Sequence, residues 1–187
     1  MWRKFCKLML RLMGWTPVDK EPVPEPKAVL LGVPHTSIWD FLVSYFYYKS
    51  IGGDPHIMIK KEFFFWPLGS ILRKLGAIPV DRGKGAALLV RSIIHEFERK
   101  DRLHLAIAPE GTRKAVKKWK SGFHTIARAA GVPVYLGYFD WGTKRVGHGP
   151  RFEVTDNAAA DLAKIQSIYE EMHLTGLHPK GYTTGCE

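Results

Sequence analysis

The chain is poor in cysteine, in long hydrophobic runs and in acidic residues, and each shortage excludes a class of protein. Its two cysteines, Cys6 and Cys186, lie near opposite ends of 187 residues. They form neither a disulfide framework nor a ligand spacing, which suits a reducing compartment. The longest uncharged apolar stretch, Phe63 to Leu72, is about half of the roughly 20 residues a membrane-spanning helix needs. Near the start, Arg11 interrupts the apolar residues and no small-residue cleavage site follows, so no secretory signal is read and a cytoplasmic protein is expected. Outside position 35 the histidines (His56, His95, His104, His124, His148, His173 and His178) show no metal-ligand spacing, so neither metal nor cofactor is expected. No internal repeat is present. Against 28 Lys and Arg there are only 18 Asp and Glu, and the net charge of +10 implies an anionic partner.

What is present reads as one domain, since 187 residues with 45% apolar and 25% charged content suffice to bury a core. Residues 1–15 predict an amphipathic helix with Arg3, Lys4, Lys7 and Arg11 in a sector of about 100°. Trp2, Phe5, Met9, Leu12 and Met13 fall opposite, a pattern suited to a membrane surface, although terminal helices more often pack on their own domain. Residues 16–27 hold Pro17, Pro22, Pro24 and Pro26 and predict a semi-rigid linker. From there the pattern alternates. Strands are expected at 28–33, 55–59, 77–80, 103–108 and 132–139, with 151–154 pairing to the last as a hairpin. Helices are expected after residue 40, across an interrupted 63–75, at 86–99, at 122–130 with Gly131 as C-cap, and after a cap at Asn157. This is an α/β fold, a single mostly parallel sheet flanked by helices, over 28–174, with 175–187 as a flexible tail.

The stretch His35-Thr36-Ser37-Ile38-Trp39-Asp40 sits where the first strand hands over to a helix. With His35 in the turn and Asp40 in the first helical turn, the carboxylate can reach the imidazole and hold one tautomer. Ser37 and Asp40 also have capping-box spacing, so Asp40 has a purely structural reading. Two further strand-end turns carry Asp81-Arg82 and Glu110-Gly111-Thr112-Arg113. Turns at the carboxyl ends of parallel strands converge on one crevice, where Arg82 and Arg113 would suit a phosphate. Gly111 would allow close backbone approach, and Thr112 adds a hydroxyl. Alternatively Arg82 pairs with Asp81, and Arg113 with Glu110.

These turns, with Gly76-Ala77-Ile78-Pro79-Val80-Asp81-Arg82 and Val132-Pro133-Val134, resemble the four ordered blocks of the glycerolipid acyltransferases, which include the 1-acylglycerol-3-phosphate acyltransferases. The resemblance covers roughly residues 28–139. Leu136-Gly137 stands where a second proline is usual, and Ala108 where an aromatic is usual. It implies an acyltransferase domain with His35 as general base and Asp40 as its orienting partner. It further implies that Lys60, Lys61, Arg82, Glu110, Gly111, Thr112 and Arg113 bind the acceptor. The implied reaction moves a fatty acyl group from acyl-CoA or acyl-carrier protein to a hydroxyl of a lysophospholipid or glycerol-phosphate-type acceptor. Peripheral association with the inner face of an anionic membrane would bring such an enzyme to a lysolipid. A thioesterase-like hydrolase is the alternative on the same fold. The basic run from Arg113 to Lys120 reads as a solvated face, a dock for coenzyme A phosphates or an acidic carrier protein, or a nucleic-acid patch. No nucleic-acid motif accompanies it, and no nucleic acid is expected.

Overall fold

Apolar runs bounded by turn residues become strands, and the amphipathic stretches between them become the helices that cover the sheet. The computed structural model of the chain describes residues 1–81, 83 and 85–186. In order these form α1 (Trp2–Leu12), β1 (Thr16–Pro17), β2 (Lys27–Leu31), α2 (Ile38–Ser50), β3 (Pro55–Lys60) and α3 (Leu68–Lys74). There follow β4 (Ala77–Val80), α4 (Ala86–Arg99), β5 (Leu103–Ile107), α5 (Gly122–Ala130) and β6 (Val134–Tyr135). The chain continues through β7 (Tyr138–Asp140), β8 (Arg145–Gly147), β9 (Arg151–Phe152) and α6 (Ala158–Glu171).

The main sheet has the order β4-β3-β5-β2-β6-β9, parallel except for the antiparallel β6–β9 pair. Central β2 is buried on both faces, and its alternating side chains divide the core. Val29 and Leu31 join Ile93 and Phe97 of α4, Phe123 and Ile126 of α5, and Ile165 and Tyr169 of α6. Ala28 and Leu30 join Leu10, Trp15 and Val43, Tyr47 and Tyr48 of α2. Parallel strands put the carboxyl ends of β2, β3, β4 and β5 at one edge of the molecule, which is where the three singled-out turns lie.

The expected strand over 132–139 is two strands. After β6 the chain turns away at Leu136-Gly137 and β7 joins a second sheet, ordered β1-β8-β7. Gly137 passes so close to the Leu31 carbonyl that a Cβ has no room there, which accounts for glycine at the exit. A single parallel bridge, Val33 to Tyr138, links the two sheets beyond the end of β2.

Both terminal regions differ from the sequence reading. Residues 16–27, expected as a semi-rigid linker, are held against the domain. Val18 N donates to Val146 O at 2.9 Å, Val23 is buried, and Asp19 accepts from Tyr47 Oη at 2.7 Å and His148 N at 2.8 Å. The tail is likewise tied down over 175–186. Trp141 N donates to Thr175 O at 2.8 Å, His178 N to Thr36 Oγ1 at 3.3 Å, and Trp119 Nε1 to Thr183 O at 3.2 Å. Proline content and lack of periodicity set local stiffness, whereas partners far along the chain decide whether such segments are held. Helix α1 packs on α2 through Cys6 and Leu10, with Arg3 Nε donating to Ser50 O at 3.0 Å. Its Trp2, Phe5, Leu8 and Leu12 remain exposed.

Candidate active site

Helix α2 starts at Ile38, three residues earlier than its apolar run suggests, because Ser37 caps it. Ser37 Oγ accepts from Trp39 N at 3.2 Å, and Asp40 completes a capping box. Asp40 does more than cap. Fully buried, it takes N–H bonds on Oδ2 from Thr36 and Ser37, each at 2.6 Å, and on Oδ1 from Trp141 Nε1 at 2.7 Å. This closes the chain on itself and swings His35 back toward the carboxylate, with Nδ1 3.7 Å from Asp40 Oδ2. That separation is longer than a hydrogen bond but well within charge–charge reach, and such pairs commonly tighten when substrate binds. Asp40 is therefore the cap that its spacing from Ser37 allowed, and it also lies within charge reach of the His35 ring. The His35 side chain keeps 28% of its surface open to solvent.

The electrostatics of the pair follow from burial. Burial pushes the His35 pKa below 6.5, the nearby Asp40 carboxylate pulls it up, and the Arg113 guanidinium pushes it down again. Burial raises Asp40, while the Ser37, Trp141 and Thr36 donors pull it back.

The turn after β5 meets this one from the neighbouring strand. Glu110 is 4% exposed and accepts from His35 N at 2.8 Å, so it holds the backbone that carries the imidazole. Its pairing with Arg113, one option from the sequence, is not what the carboxyl does. Oε1 of Glu110 and the Tyr182 hydroxyl are buried without partners. Burial pushes the Glu110 carboxyl up to about 8; the His35 N–H opposes this and the Asp40 charge adds to it. Gly111 adopts φ 68° with the Lys120 side chain packed against its Cα, leaving a Cβ only 2.7 Å from Lys120 Cδ. Thr112 Oγ1 accepts from Lys114 N at 3.4 Å, and Arg113 is exposed.

On the other side of β5, Lys60 ends β3 and is exposed, while Lys61 Nζ pairs with Asp81 at 2.6 Å. Lys61 thus faces the third turn, whose Arg82 lies outside the described residues. In the basic run, Trp119 is buried, so its indole presents no face for stacking bases.

Sequence reasoning did not find Trp141 or the 175–186 segment at this site. Trp141 lies 101 residues from Asp40, and His178 142 residues from Thr36. Pairings at that distance leave no local pattern, although Trp141 does stand in a Trp-Gly-Thr turn between two short strands.

A family model described as Acyltransferase matches residues 4–136. Among solved structures, the chain is similar to the crystal structure of the 1-acyl-sn-glycerophosphate (LPA) acyltransferase PlsC from Thermotoga maritima. The TM-score is 0.61 at 18% sequence identity, covering 91% of this chain and 78% of that one. At such identity the likeness speaks for the fold. No curated protein matches the sequence. The family match takes in most of the chain, including both the His35–Asp40 and the Glu110–Arg113 turns, and on that ground the chain belongs to the acyltransferase family.

Proposed function

We propose that this acyltransferase moves a fatty acyl group from a thioester, acyl-CoA or acyl-carrier protein, to a hydroxyl of a lysophospholipid or glycerol-phosphate-type acceptor. The observation that carries this reading is the buried, triply donated Asp40 beside a partly exposed His35, with Arg113 nearby. His35 Nδ1 faces Asp40, so the opposite nitrogen takes the hydroxyl proton as the oxygen attacks the thioester carbon. Positioned base catalysis of this kind contributes about 10²–10⁴-fold. The C–O bond forms, the C–S bond breaks, and the proton passes from imidazolium to the departing thiolate. Asp40 favours the transient imidazolium. The depressed His35 pKa keeps the ring neutral, as a base requires, near pH 7.

Gly111, Thr112 and Arg113, with Lys60, Lys61 and Arg82 from the neighbouring strand ends, would hold the acceptor phosphate by charge-assisted bonds. Glu110 ties that block to the His35 turn by accepting from His35 N.

Among the described residues no helix is long and apolar enough to cross a membrane. We infer peripheral attachment to an anionic surface through Trp2, Phe5, Leu8 and Leu12 of α1, with Phe63, Phe65 and Trp66 as a second exposed contact. Insertion is favourable by about 25 cal/mol per Å² of apolar surface, and nearby basic residues add on the order of 1 kcal/mol each.

The test is lipid mass spectrometry of reactions offering mixed lysolipids with each donor, alongside thiol release. An acylated lipid that depends on acceptor and on His35 supports the proposal. Thiol release indifferent to every lysolipid would replace it with thioester hydrolysis.

A further inference from the structure

A groove beside the candidate site has no role so far. It is a largely open depression of about 310 Å³ lined by Met13, Trp15, Trp39, Trp141, Lys144 and Leu177. Four separate regions of chain meet there: the end of α1, the start of α2, the β7–β8 turn and the tied-down C-terminal segment. We propose that this groove seats the hydrocarbon chain already carried by the acyl acceptor. The inference rests on the reaction proposed above and adds a specificity subsite to it.

Three observations support it. The groove adjoins the chemistry, because Trp141, which forms one wall, donates its indole N–H to Asp40 at 2.7 Å. Its lining carries no acidic group, and its lysine is already engaged. Lys144 Nζ sits 4.0 Å from the Trp141 ring centroid and 5.1 Å from that of Trp15, leaving the aliphatic stem as wall. Lys144 holds this position at φ 56°, a sparsely populated conformation for a residue with a side chain. Lastly, the sheet order arranges the groups in a row. Lys60 ends β3, the Glu110–Arg113 turn follows β5, His35 follows β2, and the Val33–Tyr138 bridge puts the β7–β8 turn beyond β2. A cationic end, a base and an apolar groove thus succeed one another along one edge. An acylated glycerol phosphate has the same order: phosphate, free hydroxyl, hydrocarbon chain. Glycerol phosphate itself has nothing to put in the groove.

The experiment compares KM for long-chain and short-chain 1-acylglycerol 3-phosphate, both kept monomeric and without vesicles. It uses the full chain, Leu177→Trp and Met13→Trp, which fill the groove from the C-terminal segment and from the end of α1. Each variant is expected to raise the ratio of long-chain to short-chain KM by about tenfold or more. Ratios equal to the parent's in both would overturn the inference. A second measurement needs neither turnover nor a core change. A lysolipid brominated along its chain should quench tryptophan emission of the parent, and less so that of Trp39→Phe, an exposed position. Quenching identical in both proteins also overturns the groove. Should the parent acylate neither lysolipid, the proposed reaction falls, and the quenching result still decides the groove.

Discussion

The turn after β2 and the turn after β5 each bury a carboxylate against the same histidine, and they supply it with different numbers of donors. Asp40, with no exposed surface, is surrounded by N–H donors from Thr36, Ser37 and Trp141. Glu110, 4% exposed, has His35 N on one oxygen and nothing on the other. Donors aimed at an anion offset the cost of burying it, and their absence leaves protonation as the cheaper state. Burial raises both carboxyls, carrying Glu110 up to about 8, while at Asp40 the Ser37, Trp141 and Thr36 donors oppose the rise. One turn aims three N–H donors at its carboxyl; the other uses its carboxyl to hold the His35 backbone through a single donor.

Removing the imidazole should have the largest effect. His35→Ala is expected to lower turnover by about 10²–10⁴-fold, with a melting temperature close to the parent's because the side chain is partly exposed. Steady-state kinetics and thermal melts check both halves. Asp40→Asn should slow turnover less, since the imidazole survives, yet lower stability by about 1–3 kcal/mol because an amide NH₂ must face an N–H donor. A variant as stable as the parent would show that the three donors matter little.

Arg113→Gln should raise the acceptor KM about tenfold, the loss of a charge-assisted bond. It should also move the acid limb of kcat/KM to higher pH. The guanidinium disfavours imidazolium, so its removal raises the His35 pKa. An acid limb that stays put, or moves down, would separate Arg113 from His35.

Glu110→Gln tests the contrast from its other side. The folded pKa of about 8 lies above the ordinary 4.5. Between those values the unfolded chain gives up a proton that the folded chain keeps, so stability falls as pH rises and flattens above about 8. Glutamine, which keeps a carbonyl for His35 N and cannot ionise, should abolish that slope and retain most of the activity near pH 7. Urea melts across this range read the slope directly; a slope unchanged in the variant would assign it to another group.

The smallest effect on the chemistry is expected from the exposed face of α1. Trp2→Ser with Leu12→Ser should weaken sedimentation with anionic vesicles while leaving turnover on a short-chain acceptor intact. Substitution is cleaner than truncation here. Cutting the chain before Lys20 would also remove Cys6, Leu10 and Trp15 from the core.

How much of this was readable depended on range. The βα alternation, the cap at Ser37, the Gly131 C-cap and the helices at 86–99 and 122–130 follow from residues within a turn or two of each other, and they stand as expected. The break of the 132–139 strand was not readable. It depends on Gly137 passing the Leu31 carbonyl, a neighbour from a different strand. The same holds for the ends of the chain. Proline spacing in 16–27 says the backbone is stiff, not that Asp19 will be taken by Tyr47 and His148.

At the candidate site the sequence by itself determined which groups are available: an imidazole and a carboxylate at one strand end, a glutamate and an arginine at the next, and a surplus of positive charge. Their chemistry is carried by the side chains and survives any fold that brings them together. Only the tertiary structure decided what each group faces. It gave Asp40 a donor from Trp141, left Glu110 a single donor from His35, turned Lys61 to Asp81 and buried Trp119. A pKa depends on the dielectric and the dipoles within a few ångströms, and in a parallel sheet those neighbours come from strands far apart along the chain.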